Sequence, residues 1–276
     1  MIFNNLKKKL SQYKAKRIFR EYEYKVVEFD PPALGTIKYA QWLNPLERPK
    51  MITVSKVDFF KKFIKPGDMA IDIGAHTGDT PLPMALAAGP GGKVLALEPN
   101  PYIYKILEVN STLNREKATI VPLCFAATAT DGDFFYNSSE ASFNNGGVSS
   151  EKTDRHGKFS LEAKVKGINL ENYLRKNYVA DLAKLALIKI DTEGHDKEVL
   201  NTLEGIIRDY RPALIFECFE KLTAEERHDL FESVAKHKYS LFHFNDFLAD
   251  TEITEIIKSD NMMNWKHFDI YALPNK

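Results

Sequence analysis

Three short segments concentrate the side chains that could do chemistry. The first is Ala70 to Thr80, AIDIGAHTGDT, an apolar run into a glycine-containing turn that carries Asp72, Gly74, Ala75, His76, Gly78, Asp79 and Thr80. The second is VLALEPNP, which puts Glu98 and Asn100 at the end of another apolar run, Glu98 falling 20 residues after Gly78. The third is LALIKIDTEGHDKEVL, with Asp191, Glu193, His195 and Asp196 after a buried-looking run, and a related run, ALIFE, ends at Glu217. Carboxylates and a histidine collected at strand ends suit proton transfer and the binding of hydroxyls or cations.

The turn after Asp72 selects among ligands. A Walker loop needs a Lys where Asp79 stands, and a dinucleotide fingerprint needs Gly-x-Gly-x-x-Gly, which Gly74-Ala75-His76-Thr77-Gly78 does not provide. Asp72 and Asp79 would repel a pyrophosphate. A donor with cationic parts and no phosphate, S-adenosylmethionine, fits these acids better, and Asp-x-Gly-x-x-x-Gly is a known form of its turn. Glu98 suits the two ribose hydroxyls of a nucleoside, a role that NAD binders share. The competing reading is therefore an NAD(P)-dependent oxidoreductase or epimerase. Asp72, Glu98, Asp191 and Glu193 also suit plain helix caps and dipole partners.

These segments need elements to hold them. Apolar runs at Met69–Ile73, Val94–Leu97, Thr119–Leu123, Leu185–Ile190 and Ala213–Glu217 read as strands, alternating with helices over 56–65, Thr80–Ala88, Tyr102–Asn114, Lys197–Ile207 and Ala224–His237. Two last strands fit Tyr239–Phe244 and His267–Leu273. The alternation predicts an α/β fold, a doubly wound Rossmann-like sheet whose ligand sits beyond the C-terminal strand ends. Residues 131–168, rich in Ser, Asn and Gly, break the rhythm as a lid or β excursion. Residues 1–55 form a basic helix and an irregular extension, and residues 56–276 the main domain.

With Lys plus Arg and Asp plus Glu at 38 each, bulk charge gives no reason to expect nucleic acid. Residues 1–20 hold seven Lys or Arg and no acid, with Phe3, Leu6, Leu10 and Tyr13 at helical spacing. Such a helix can dock on its own domain, on a second copy to give a homodimer, or peripherally on a membrane surface or anionic carrier. No run is long enough for a transmembrane helix, and Cys124 and Cys218 make no disulfide framework, so a cytoplasmic protein is expected.

Taken together, AIDIGAHTGDT, VLALEPNP, LIKIDTEGHDKEVLNTLEG and PALIFECFE resemble the FkbM family of S-adenosylmethionine-dependent methyltransferases, over roughly residues 67–276. The resemblance implies a seven-stranded sheet with the last strand antiparallel, and O-methyl transfer, often to a sugar or natural product. His76 stands where the family often has Asn. On this reading Asp72 and the turn hold the methionine end of the donor, Glu98 the ribose, and the stretch Cys124, Phe125, Ala126 the adenine. Asp191 belongs to the donor site and, with Glu193 and His195, supplies the general base. Tyr136, Ser142, Asn144, Asn145 and Glu217 are candidates to line the acceptor pocket. No metal is expected; a catechol-type divalent cation would use Asp191 and Glu217.

Overall fold

The computed structural model describes residues 2–153 and 157–275, the side chains from residue 6 onward. In chain order it runs α1 (Ile2–Ala15), β1 (Tyr24–Phe29), β2 (Ile37–Trp42), α2 (Val54–Phe60), β3 (Met69–Ile73), α3 (Pro81–Ala88), β4 (Lys93–Leu97), α4 (Pro101–Asn110) and β5 (Ile120–Leu123). The excursion follows: β6 (Ala126–Ala127), β7 (Gly132–Ser138), β8 (Gly147–Ser149), β9 (Phe159–Ser160) and β10 (Val165–Ile168). Then come α5 (Leu170–Asn177), β11 (Leu185–Ile190), α6 (Asp196–Thr202), α7 (Glu204–Tyr210), β12 (Ala213–Cys218), α8 (Ala224–Ala235), β13 (Tyr239–Phe244), β14 (Ile253–Ile256) and β15 (Phe268–Pro274).

The main sheet has the order β14-β13-β15-β12-β11-β3-β4-β5. Strands β5, β4, β3, β11 and β12 are parallel, and β15, the last in the chain, runs antiparallel to both β12 and β13. This is the expected doubly wound Rossmann-like sheet, with an eighth strand, β14, added at one edge beyond the seven that the resemblance implies. Strand β14 escapes sequence reading because three of its four residues are exposed and it pairs only with β13. Chain order reverses between β3 and β11, so loops leaving these two strands open on one crevice.

Each strand of the parallel core feeds two apolar layers. Met69, Ile71 and Ile73 of β3 join one buried cluster with Leu95, Leu97, Ile188 and Ile190, and Ala70 joins the opposite one with Val94, Ala96 and Leu187. Alternation of side chains across the pleat produces this division. Helix starts follow local chemistry. The Asn100 side chain accepts from Tyr102 N with Pro101 at the first helical position, and Thr223 and Glu226 cap α8 reciprocally. The helix expected over Lys197–Ile207 is two helices. Thr202 Oγ1 donates back to Val199 O, and Gly205 N donates instead to the Glu171 carboxylate at 3.0 Å. A side chain at 205 would place its Cβ 2.1 Å from Glu171 Oε1, so the Glu171 carboxylate would have to move off this start of α7.

Helix α1 forms where the spacing predicts. Its apolar stripe does not dock: Leu6, Leu10 and Tyr13 are each more than half exposed, and Phe3 lies outside the described side chains. Its C-terminal end carries the attachment, through buried Ala15, Gln12 Nε2 donating to Pro45 O, and Ala141 N donating to Lys16 O. No helix among the described residues is long and apolar enough to cross a membrane.

Candidate functional site

A cavity lies over the C-terminal ends of β3, β4 and β11 and under the loop that follows β7. Its floor is built by ladder bonds that continue past the strands. Gly74 N and Ala75 N both donate to Leu97 O, at 3.0 and 2.9 Å, Glu98 N donates to Leu123 O, and Asp191 N donates to Ile73 O at 2.9 Å. Gly74 has φ +82°, and a Cβ there would sit 1.9 Å from Asp191 O. Only glycine lets the β3 turn pass under the β11 loop. The Gly74→Ala protein is expected to lose at least about 2 kcal/mol of stability, read as a lower urea midpoint, because both the φ and the backbone approach are disallowed.

Glu98 is 4% exposed. One carboxylate oxygen accepts from His76 N at 3.0 Å and the other from Asn100 N at 2.8 Å. A carboxylate has about four acceptor positions, so about two remain for a ligand. Burial, reinforced by the charges of Asp72 and Asp191, raises its pKa to about 7.

Asp72 does not line the cavity. It is wholly buried and paired with Lys189 at 3.1 Å, its partner across the β3–β11 ladder. Burial lifts its pKa to about 6 against the pull of Lys189. Lys189 Nζ also reaches Asp191 Oδ2 at 3.3 Å. The direct contact between Asp72 and a ligand expected from the sequence does not fit this placement: Asp72 pairs with Lys189, and Lys189 reaches Asp191 at the cavity wall. Gly78, at φ +98°, lies against Leu107 of α4 and is likewise outside the cavity.

The loop after β11 presents Asp191, Thr192, Glu193 and His195 to the cavity. Glu193 adopts φ +56°, uncommon for a non-glycine residue. Burial, with Asp191 and Asp196 adding to it, raises its carboxyl to about 7. Asp196 acts as a staple behind the loop, accepting from Thr192 N, Thr192 Oγ1 and Glu217 N. Glu217 faces away from the cavity, 3.0 Å from His267 Nε2, and burial with Asp191 and Asp196 drives its pKa far upward.

The remaining expected residues divide in the same way. Ala75, His76, Asp79, Thr80, Phe125 and Ala126 line the cavity, as do Tyr136, Asn144 and Asn145. Asn100 does not; it caps α4 and its Nδ2 donates to Phe143 O. Cys124 is exposed and Ser142 is buried beside the cavity without lining it. His76 Nε2 lies 3.0 Å from Asn144 O, so the β3 turn and the loop above it are tied together. Among the described residues no group of three or more His, Cys, Asp or Glu side chains is placed to hold a metal ion.

Several lining residues were not legible beforehand. Glu47 and Lys50 come from an irregular stretch without periodicity, and Gly146, Gly147 and Val148 from the excursion. Lys50 bridges Glu47 at 2.9 Å and Asp79 at 3.3 Å. Burial opposes the charge on Asp79, but Lys56, Lys50 and His76 outweigh it and hold its carboxyl at about 2. The hairpin β1–β2 also supports the turn: Tyr39 Oη is 2.8 Å from Thr77 Oγ1, and Asn110 joins Ala40 to Thr77 O.

The wall thus has five carboxylates, Glu47, Asp79, Glu98, Asp191 and Glu193, while both of its lysines are already engaged by acids. An electronegative pocket at a topological switch point suits a nucleoside with a cationic chain and disfavours a pyrophosphate. Fold and site together define a Rossmann-like methyltransferase. The family model described as the methyltransferase FkbM domain matches residues 72–249. The chain belongs to the FkbM family of S-adenosylmethionine-dependent methyltransferases.

No curated protein matches the chain. Among solved structures it is similar to the FkbM methyltransferase from Methylobacillus flagellatus KT, at 13% identity and TM-score 0.46, covering 78% of this chain and 50% of that one. It is similar to a SAM-dependent methyltransferase from Agrobacterium tumefaciens, at 9% identity and TM-score 0.49, covering 92% of this chain and 71% of that one. It is also similar to Aeropyrum pernix fibrillarin in complex with S-adenosyl-L-methionine, at 13% identity and TM-score 0.43, covering 92% and 98%.

Proposed function

We propose that the protein transfers a methyl group from S-adenosylmethionine to a hydroxyl oxygen of a sugar, glycan or small natural product. The observation that carries this reading is that two carboxylates line one cavity, buried Glu98 after β4 and half-buried Glu193 after β11, with burial raising both toward about 7. Bound S-adenosylmethionine supplies an electrophilic methyl group on a sulfonium centre. The chain supplies the rest. Glu98 accepts from the ribose hydroxyls, Phe125 and Ala126 form an apolar wall for the adenine, and the Gly74–Ala75 turn with Asp191 receives the methionine end. Asp191 is held for this by Lys189.

Alkylation of a hydroxyl requires a proton to leave the oxygen and an aligned approach. Glu193 is the carboxylate best matched to that task, because its raised pKa puts its basicity close to working pH. His195 and Asp191 share its loop and could orient it or act in its place. Tyr136, Asn144 and Asn145 give the acceptor side aromatic and amide groups, which suit a polyhydroxyl compound.

The test is a turnover assay with labelled S-adenosylmethionine and a panel of neutral and acidic oligosaccharides, phenols and amines. The reading expects S-adenosylhomocysteine release with one O-methyl group per product, located by mass spectrometry. Transfer to nitrogen or carbon alone would contradict it.

A further inference from the structure

A second groove, of about 590 Å³, adjoins the cavity between α1, the segment 46–49 and the loop 140–145. Glu47, Asn144 and Asn145 line both spaces. The two differ sharply in charge. The cavity wall carries five carboxylates, whereas the groove carries Lys8, Lys9, Lys16, Arg17 and Arg48 against Glu47 and Glu140. Glu47 is already bridged to Lys50. Burial pushes the Glu140 carboxyl up, against the pull of Lys16.

All five cationic residues are exposed, and among the described residues none of them forms an ion pair within 4.0 Å. Arg17 stacks on Tyr13 at 3.8 Å, which holds its guanidinium at the groove wall. Lys9, Gln12, Tyr13 and Lys16 follow i, i+3, i+4, i+7 spacing, so one helical face supplies this wall. Like charges gathered in a concavity repel one another until an anion enters.

We propose that the groove binds the negatively charged part of the acceptor, so that the methylated compound is an anionic glycan bearing phosphate or carboxylate groups. This rests on the methyl-transfer reading of the cavity. The acceptor would lie along α1 with its acidic groups on Lys8, Lys9 and Arg48. A neighbouring hydroxyl would pass Asn144 and Asn145 toward Glu193. The amides at the junction donate to and accept from hydroxyls and carry no charge, as a sugar ring crossing from a basic to an acidic region requires. The division also keeps the acceptor's anion away from the carboxylates around the donor.

The test is calorimetric titration of the full chain, with and without S-adenosylhomocysteine. Three trisaccharides serve as probes: a galacturonate trimer, a phosphorylated maltotriose and neutral maltotriose. Phosphatidylglycerol vesicles form a fourth arm. At low salt the anionic sugars are expected to bind about tenfold more tightly than maltotriose, with the preference shrinking as salt rises. The two anionic arms separate phosphate from carboxylate chemistry. The triple variant Lys8→Gln, Lys9→Gln, Arg48→Gln is expected to lose about that factor for anionic sugars while binding S-adenosylhomocysteine normally. The pair Lys16→Gln, Arg17→Gln gives an independent second reading on the helix. Equal affinity for charged and neutral sugars, unchanged anion binding in both variants, or binding to vesicles alone would overturn the proposal. Failure to bind S-adenosylhomocysteine contradicts the donor reading instead, and the titration without it still decides the groove.

Discussion

Replacing Lys189 by methionine is expected to cost about 3–5 kcal/mol of folding free energy, the range for breaking a buried ion pair by removing one member. Lys189 is 3% exposed and Asp72 wholly buried. Their separation is 3.1 Å, and Asp72 Oδ2 has no hydrogen-bond partner among the described residues. Without the ammonium, Asp72 would take up a proton or draw in water, and either change disrupts the β3–β11 seam. The pair is costly to bury, so replacing both ends should be much milder. The double variant Asp72→Leu, Lys189→Met is expected to recover at least half of the loss in urea unfolding. It should nonetheless bind donor poorly, since Asp191 loses the group 3.3 Å away that positions it. Additive losses in the double variant would show that the two side chains are not coupled.

Glu193→Gln is expected to lower kcat by about 10²–10⁴, the usual worth of a positioned general base, with donor affinity little changed. Burial holds the carboxyl near 7, and only its deprotonated form can accept the hydroxyl proton. Wild-type kcat should therefore rise with pH through about 7 and level off above it. The amide cannot titrate, so the residual rate of the variant should lack that limb. Retention of both the rate and the limb would transfer the role to His195 or Asp191, to be read from His195→Ala and Asp191→Asn.

The two acids, Asp72 and Glu98, mark how far the sequence could be read. Glu98 was legible because a carboxylate directly after an apolar run must sit at a strand end. Asp72 lies inside the run, one residue before its end, and its address depends on which strand pairs with β3 and in what register. Once β11 is the neighbour, Lys189 falls opposite Asp72, and the two satisfy each other in the core. The sheet itself was legible from short apolar runs alternating with capped helices. The strand β14 and the break at Leu203 were not, because exposed polar residues and a side chain–backbone bond from Glu171 leave no periodic trace. The lid residues Gly146 and Gly147 were hidden for a similar reason. Their position over the cavity is set by contacts distant in sequence, among them His76 to Asn144 O and Asn100 to Phe143 O. The N-terminal region reads as an extension in sequence, yet Tyr39 steadies the turn after β3 and Lys50 pairs with Asp79 in it.

The claim on which the rest depends is that the electronegative cavity at the β3–β11 switch point holds the methyl donor. The direct measurement is calorimetric titration of the wild-type chain and Glu98→Ala with S-adenosylhomocysteine and with NAD. One site for S-adenosylhomocysteine is expected, at least about tenfold weaker in Glu98→Ala because the ribose loses its buried acceptor, and no heat from NAD. Saturable NAD binding that depends on Glu98, with none for S-adenosylhomocysteine, would contradict it.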